Sequence, residues 1–498
     1  MRVPFQSPSA LSALSEAELR QLAEAEAAMV LAGSYAEWLQ AAEAHDALSG
    51  GAAWRASDAS PYFDPDLMRR ETASLARLRR EGEGLRLVSA LEHTLTRHRN
   101  DVAAVELYEG ALAGTHHCIE DWQAEVVAGL EWLVTAPLPG FDAAARRRKF
   151  TDAARVYGRS ALMLSGGATW GFFHLGVVRA LFENGLLPAI FSGASTGAMV
   201  ASGVCARNDA ELAELFADPD LMRRDGLLFV GLRKALQQGA ALDPEQLKAV
   251  LEHNVGPVTF AEAHAHSGRA VNISVSPVRT RQKPRLLSHV TAPQVLLANA
   301  ALASSALPGL FPAVTLEARD DSGRCYPYVP SERWVDGSLT EDLPKLRMAR
   351  LHNVNHFIVS QTNPHVQLFV NHHGRRGIMP AVTGLLTSAA RSRGLFAADL
   401  ARRAARPSMG PLRQMADRAH ALIGQDYRGD ITIHPRFRWE LLAKVVVNPS
   451  RDDLNVFIAE GRRAVWPQLP RIADQTRIER TLQRCVVRLS ELASGAPS

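Results

Sequence analysis

The chain has 498 residues, 47% of them hydrophobic and 22% charged, a balance that gives room for more than one packed core and excludes a disordered or fibrous protein. Its net charge is +4 and its pI near 9.0, compatible with anionic surfaces but without the dense basic stripe of a nucleic-acid binder. Four scattered cysteines, Cys118, Cys205, Cys325 and Cys485, match no zinc or redox spacing and point to a reducing compartment.

The opening Met1-Arg2-Val3-Pro4-Phe5-Gln6-Ser7-Pro8 lacks the apolar core of a signal peptide, so a cytoplasmic protein is expected. From about Ser15 to Arg148 apolar residues recur at helical spacing, as in Leu107, Ala111, Ile119, Trp122, Val126 and Leu130, and predict a helical domain over 1–150. Pro137-Leu138-Pro139-Gly140, or the helix after it, marks its end. That helix carries the densest basic run, Arg146-Arg147-Arg148-Lys149, which is either a solvated face or a contact for lipid phosphates.

Residues 151–365 alternate strand and helix. Ala161–Leu164 reads as a strand, Ser165-Gly166-Gly167-Ala168-Thr169-Trp170-Gly171 as a glycine loop, and Phe172 to Leu181 as a helix. Unpaired N–H groups in such a loop face anything negative, a phosphate or the oxyanion of an acyl-transfer intermediate. Phe172-Phe173 stands where a Walker loop needs lysine, and the dinucleotide spacing fails, so the oxyanion fits better. The apolar run Leu187 to Ser192 then enters Gly193-Ala194-Ser195-Thr196-Gly197. This is either an ordinary tight turn or a strand-to-helix elbow that presents Ser195 as a nucleophile, Gly193 and Gly197 being small enough to let the chain turn.

Further strands are predicted at Ala270–Val278, Trp334–Val335 and His356–Ser360, and helices most clearly at Pro244–His253 and Val295–Ser304. The alternation implies an α/β fold with a mainly parallel sheet covered on both faces, its active groups at the carboxyl ends of the strands. Ala298 to Pro312 offers a small-residue, proline-stiffened wall for an acyl channel, or simply a buried helix. Asp336-Gly337 is by itself a common turn signal. His352 and His356 have metal-helix spacing, but Asn353 replaces the glutamate that such a site needs, and no metal is expected.

From 366 to 498 the chain is more basic and again helical, a C-terminal extension. Its apolar stretch Ile378 to Leu386 is too short to cross a membrane but could enter a lipid surface or pack as a helix. No other run qualifies as a span: glycines interrupt Ser160 to Val178, and prolines interrupt Leu286 to Leu316.

A glycine loop, a serine elbow and a late Asp-Gly in that order resemble the patatin-like phospholipases and lipases. The resemblance implies a three-layer core, a Ser195–Asp336 dyad without histidine, oxyanion amides from Gly166, Gly167 and Ala168, a dyad turn at Gly337, no cofactor, and a lipid substrate met at a membrane or lipid-droplet surface. Ala168 stands where many members have a third glycine and Trp170 where many have a basic residue. Both resemble the branch of yeast and plant storage triacylglycerol lipases, and Trp170 is either an indole at the pocket mouth that would favour uncharged lipid or a plain core side chain. Ser34-Tyr35-Ala36-Glu37-Trp38, Asp46, Trp54-Arg55 and Gly114-Thr115-His116 resemble the N-terminal domain of that branch, and Gln425 to Ile433 and Gly461 to Pro467 its later segments.

The dyad predicts an acyl-serine and hydrolysis of acylglycerol or phospholipid esters. Two alternatives remain at this level: resolution of the acyl-serine by a lysophospholipid, making an acyltransferase, or an α/β-hydrolase triad using one of His352, His356, His365, His372 or His373. Oligomeric state has no signature here.

Overall fold

The computed structural model describes residues 14–58, 60–95, 103–279, 282–363, 427–436 and 447–494. The chain gathers into two compact units, Met1–Arg159 with Trp466–Ser498, and Ser160–Val465. The segment read as a C-terminal extension is therefore shared between them. Its Ile378 to Leu386 stretch lies outside the described residues. Among the described residues no helix is long and apolar enough to cross a membrane.

The first unit is helical because its sequence supplies both stripes and caps. Ser15 and Glu18 form a capping box before the helix Glu16–Leu31, Ser34 caps Tyr35–Ser49, Asp64 with Pro65 opens Pro65–Arg80, and Asp142 caps Ala143–Tyr157. The stripe residues Ile119, Trp122, Val126 and Leu130 lie on His117–Thr135 and pack with Leu87, Leu91, Ile478 and Leu482 in one core. Several of the motif residues tie the irregular stretch before that helix in place. The Asp46 carboxylate accepts the Leu112 and Ala113 N–H groups, Arg55 donates to the Thr115 carbonyl and Glu120, and the Trp54 ring lies 4.0 Å from that of His116. Within the basic run, Arg146 donates to the Leu133 and Val134 carbonyls at the C-terminal end of a helix, and Lys149 pairs with Glu92. Arg147 and Arg148 face solvent.

The second unit is built on a sheet of seven strands: β1 (Arg159–Leu164, whose first residue falls in the other unit), β2 (Ile190–Gly193), β3 (Ala270–Pro277), β4 (Arg285–Ser288), β7 (Trp334–Asp336), β8 (Val354–Ser360) and β9 (Ile431–Ile433). Glu317–Arg319 (β5) and Cys325–Pro327 (β6) form a separate ribbon. The order is β4-β3-β2-β1-β8-β9, with β7 also on β3. The β1–β2, β2–β3 and β8–β9 pairs are parallel, whereas β4 and β7 run antiparallel to β3. Nearly every residue of β1, β2 and β3 is buried, as expected for strands covered on both faces. This is the α/β, mostly parallel architecture expected for the patatin fold. β4 escaped the sequence reading because Arg285 and Ser288 bracket only two apolar residues, too few for a period. β9, in the segment read as helical, is a three-residue strand that Asp430 fixes by accepting the Phe357 N–H.

One close contact explains two glycines. The helices Phe173–Glu183 and Arg451–Val465 approach backbone to backbone: a Cβ on Gly176 would sit 2.1 Å from the Ile458 carbonyl oxygen, and one on Gly461 2.2 Å from that of Phe173. Arg462 locks the pair by donating to Glu183.

Candidate active site

β2 ends at Gly193, and the chain turns through Ser195 into the helix Thr196–Cys205. Ser195 is held at φ 53°, a left-handed conformation that costs a residue with a Cβ about 1–3 kcal/mol and persists only where the surroundings impose it. Here they do. A Cβ on Gly193 would lie 2.4 Å from the Gly197 carbonyl oxygen, and one on Gly197 2.1 Å from that of Leu164, so neither position admits a larger residue. The Ser195 N–H donates to Ser304 Oγ (3.0 Å), whose own proton goes to the Ser274 carbonyl (2.8 Å). Ser304 thus braces the elbow, a role no sequence pattern disclosed.

Sheet register brings Asp336 to this turn. Val275 of β3 pairs with Arg285 of β4 and with Asp336 of β7, so the two strands occupy opposite edges of β3. β7 therefore lies on the edge that β2 also uses. β2 pairs Gly193 with Ile273 and then leaves, and Asp336 pairs two residues further on. The carboxylate arrives where the strand would have continued, beside Ser195, close enough for the serine side chain to influence its titration. Asp336 sits at the carboxyl end of β3, reached by an antiparallel strand. Gly337 allows the approach, because a Cβ there would be 2.1 Å from the Ser274 carbonyl oxygen. Burial raises the Asp336 pKa to about 6, against the Ser338 N–H that donates to it (2.8 Å) and the nearby Ser338 and Ser195 hydroxyls that hold it down.

The glycine loop follows β1. Its Gly166 N–H is already engaged, donating to Asp342 Oδ1 at 2.9 Å. The Gly167 and Ala168 amides carry no hydrogen bond among the described residues. Ala168 has φ 49°, a conformation that glycine takes without strain. Thr196 Oγ1 donates to the Ala168 carbonyl (2.8 Å), joining loop to elbow. Buried His174 ties the loop to β8. Its Nε2–H donates to the Ser165 carbonyl (3.0 Å), leaving Nδ1 to accept from the Ser360 hydroxyl (2.7 Å), and burial lowers its pKa to about 4, so it is neutral.

Asp342 is the residue sequence reasoning missed, although a second carboxylate six positions after Asp336 was a visible signal. It is buried, accepts from the Gly166 N–H and from Asn363 Nδ2 (2.6 Å), and titrates near 8 because of burial first and then the neighbouring Asp336 charge. The two carboxyls are coupled, the charge of Asp336 opposing ionisation of Asp342, so the pair loses its protons in two steps.

Ser195 and Ala168 open on a largely apolar cavity of about 140 Å³ lined by Met199, Val204, Leu247, Leu251, Leu310 and Phe311 among others. The loop part of the Ala298–Pro312 segment contributes to this wall, through Ser305, Leu307, Leu310 and Phe311. Trp170 does not. It is 2% exposed, packed in the interior and absent from the lining, so of its two readings the core side chain holds and the indole at the mouth does not. His352 and His356 are engaged away from the serine, with Asn272 Oδ1 (2.8 Å) and Ser160 Oγ (2.9 Å), while His365, His372 and His373 lie outside the described residues. Among the described residues no cluster of metal-ligating side chains occurs.

Comparison with known proteins adds the family. Residues 162–346 match the patatin-like phospholipase family, and residues 16–155 match a domain of unknown function, DUF3336. Triacylglycerol lipase ptl3 of Schizosaccharomyces pombe is 31% identical over 483 residues, covering 93% of this chain and 96% of that protein. Triacylglycerol lipase SDP1L of Arabidopsis thaliana is 31% identical over 92% of this chain and 58% of its own length. The patatin-like phospholipase domain-containing protein CNBE2340 of Cryptococcus neoformans is 32% identical over 91% and 53%. The chain therefore spans little more than half the length of the last two. The crystal structure of VipD from Legionella pneumophila overlaps at a TM-score of 0.28 and 15% identity over 60% of this chain and 67% of that one, too loose to argue from. With both regions matched along one chain and a relative of nearly equal length, the protein belongs to the patatin-like phospholipase family and is homologous to the yeast and plant triacylglycerol lipases that carry a similar N-terminal domain.

Proposed function

We propose that the chain is a serine lipid acyl hydrolase in which Ser195 and Asp336 cleave carboxylic esters of acylglycerols or phospholipids through an acyl-serine. The observation that carries this reading is the strained Ser195 elbow, set beside a buried carboxylate of raised pKa and opening on an apolar cavity. Ser195 Oγ attacks the ester carbonyl as its proton passes to Asp336, a better base at pKa about 6 than an exposed carboxylate. The oxyanion is received by the amides of Gly167 and Ala168, since that of Gly166 is held by Asp342. Collapse breaks the ester bond, the alcohol leaves with the proton from Asp336, and the acyl group stays on Ser195. Water then gives a proton to Asp336 and attacks the acyl-serine, releasing fatty acid and returning the proton to Ser195.

The relatives named as triacylglycerol lipases favour acylglycerols, met at the surface of a lipid droplet or membrane. The test is fatty-acid release by the purified full chain from triacylglycerol emulsion, phospholipid vesicles and lysophospholipid, with Ser195→Ala as blank. Ser195→Ala and Asp336→Asn are each expected to lower turnover at least about a thousandfold. Turnover retained by either variant would refute the dyad.

A further inference from the structure

Between Leu221 and Asp243 the second unit carries a small flap. Phe229 bridges Leu242 in antiparallel fashion, Val230 N–H donates to the Ala241 carbonyl and Asp243 N–H to that of Leu228, and the helix Leu232–Gln238 fills the turn. The root of the flap is stitched to the loop after Ser305: Ala241 N–H donates to the Gly309 carbonyl (3.0 Å) and Leu242 N–H to that of Leu310 (2.9 Å). Leu227, Leu242 and Leu310 all line the cavity onto which Ser195 opens, so the flap grows out of the cavity wall.

Its outer side is unusually apolar. Leu228, Phe229, Leu232 and Leu236 are 50%, 62%, 78% and 76% exposed, four large apolar side chains within nine residues. Elsewhere among the described residues no stretch of that length collects more than two. Leu232 and Leu236, one helical turn apart, stand side by side. Singly exposed leucines need no explanation, but a contiguous patch beside a cavity marks a surface that leaves water in use. The charges are also ordered. Asp220 pairs with Arg224 and Arg451, Asp225 with Arg223, and Asp243 with Lys234, so each acid of the stretch is neutralised. Arg233, between the two exposed leucines, has no ion pair among the described residues. The patch thus presents apolar side chains and one uncompensated cation.

We infer that this flap is the docking surface by which the chain seats on a phospholipid–water interface, its leucines and Phe229 entering the acyl boundary and Arg233 meeting lipid phosphate. The inference rests on reading the cavity as a lipid acyl hydrolase site, for it supplies the route by which an aggregated substrate reaches Ser195.

The test separates docking from catalysis. Full-length Ser195→Ala protein is sedimented with vesicles of phosphatidylcholine alone or with added phosphatidylserine. Leu232→Gln with Leu236→Gln keeps helix propensity and alters only exposed side chains. It is expected to lower binding to both vesicles by roughly tenfold or more per leucine. Arg233→Gln is expected to lower binding to the phosphatidylserine vesicles by about fivefold and leave the other unchanged. With Ser195 present, the leucine variant should hydrolyse dissolved p-nitrophenyl butyrate normally while losing release from vesicles. If no ester is hydrolysed but binding still depends on the leucines, the docking surface stands and the catalytic reading falls. The docking surface is overturned if the leucine variant binds vesicles as well as its parent, or if the parent binds neither vesicle. It is equally overturned if light scattering shows a dimer that the leucine variant dissolves, because the patch then covers a second copy.

Discussion

Asp342→Asn should change how stability depends on pH, and the structure fixes the sign. An ordinary aspartate titrates near 3.8, whereas Asp342 in the folded chain titrates near 8. Between those values the unfolded chain has released this proton and the folded chain keeps it, so folding binds a proton and stability falls as pH rises. Each unit of pH costs about 1.4 kcal/mol from this site. Asp336 adds its own share only up to about 6, where it ionises in the folded state too. The window is therefore pH 6 to 8, across which Asp342 removes about 2 kcal/mol, its own ionisation flattening the slope near pH 8. Asparagine has no proton to lose there, and its carbonyl can still accept the Gly166 N–H that the carboxylate holds at 2.9 Å. The variant should lose this slope and gain on the parent steadily as pH rises. Because the chain has two units, a global transition would mix them. Hydrogen exchange of peptides from β1, β2 and β3, corrected for the intrinsic pH dependence of exchange, reads the second unit by itself. Parallel slopes for variant and parent would refute the assignment of a buried, protonated Asp342.

Three further outcomes are expected. Hydrolysis of a soluble ester should be lost as pH falls through about 6, since Asp336 accepts the serine proton only when ionised; a rate flat across that value on a kcat/KM profile would remove Asp336 as the base. Ser304→Ala deprives the Ser195 N–H of its acceptor and should lower kcat about tenfold or more with KM nearly unchanged, as measured by steady-state kinetics on the same ester. Gly176→Ala would drive a Cβ into the Ile458 carbonyl and should destabilise the second unit by about 1–3 kcal/mol, seen as earlier exchange in the Phe173–Glu183 helix.

Local chemistry could be read along the chain. Ser15, Ser34, Asp64 and Asp142 cap helices, and Ile119, Trp122, Val126 and Leu130 bury one stripe, because caps and stripes depend on neighbours a few residues apart. The Gly193–Gly197 elbow was legible from its spacing, and Gly193 answers to the Gly197 carbonyl within the turn, whereas Gly197 answers to Leu164 of the distant β1. The remaining features depend on residues far apart in the chain. Asp336 reaches Ser195 through two registers on β3, Ser304 braces the elbow across 109 positions, and Asp342 takes the Gly166 amide across 176. Trp170 read equally well as a substrate selector or a core side chain until packing placed it inside. Spacing along a chain discloses what a residue can do with its near neighbours; which distant group it meets is set by strand register and burial, and those belong to the whole fold.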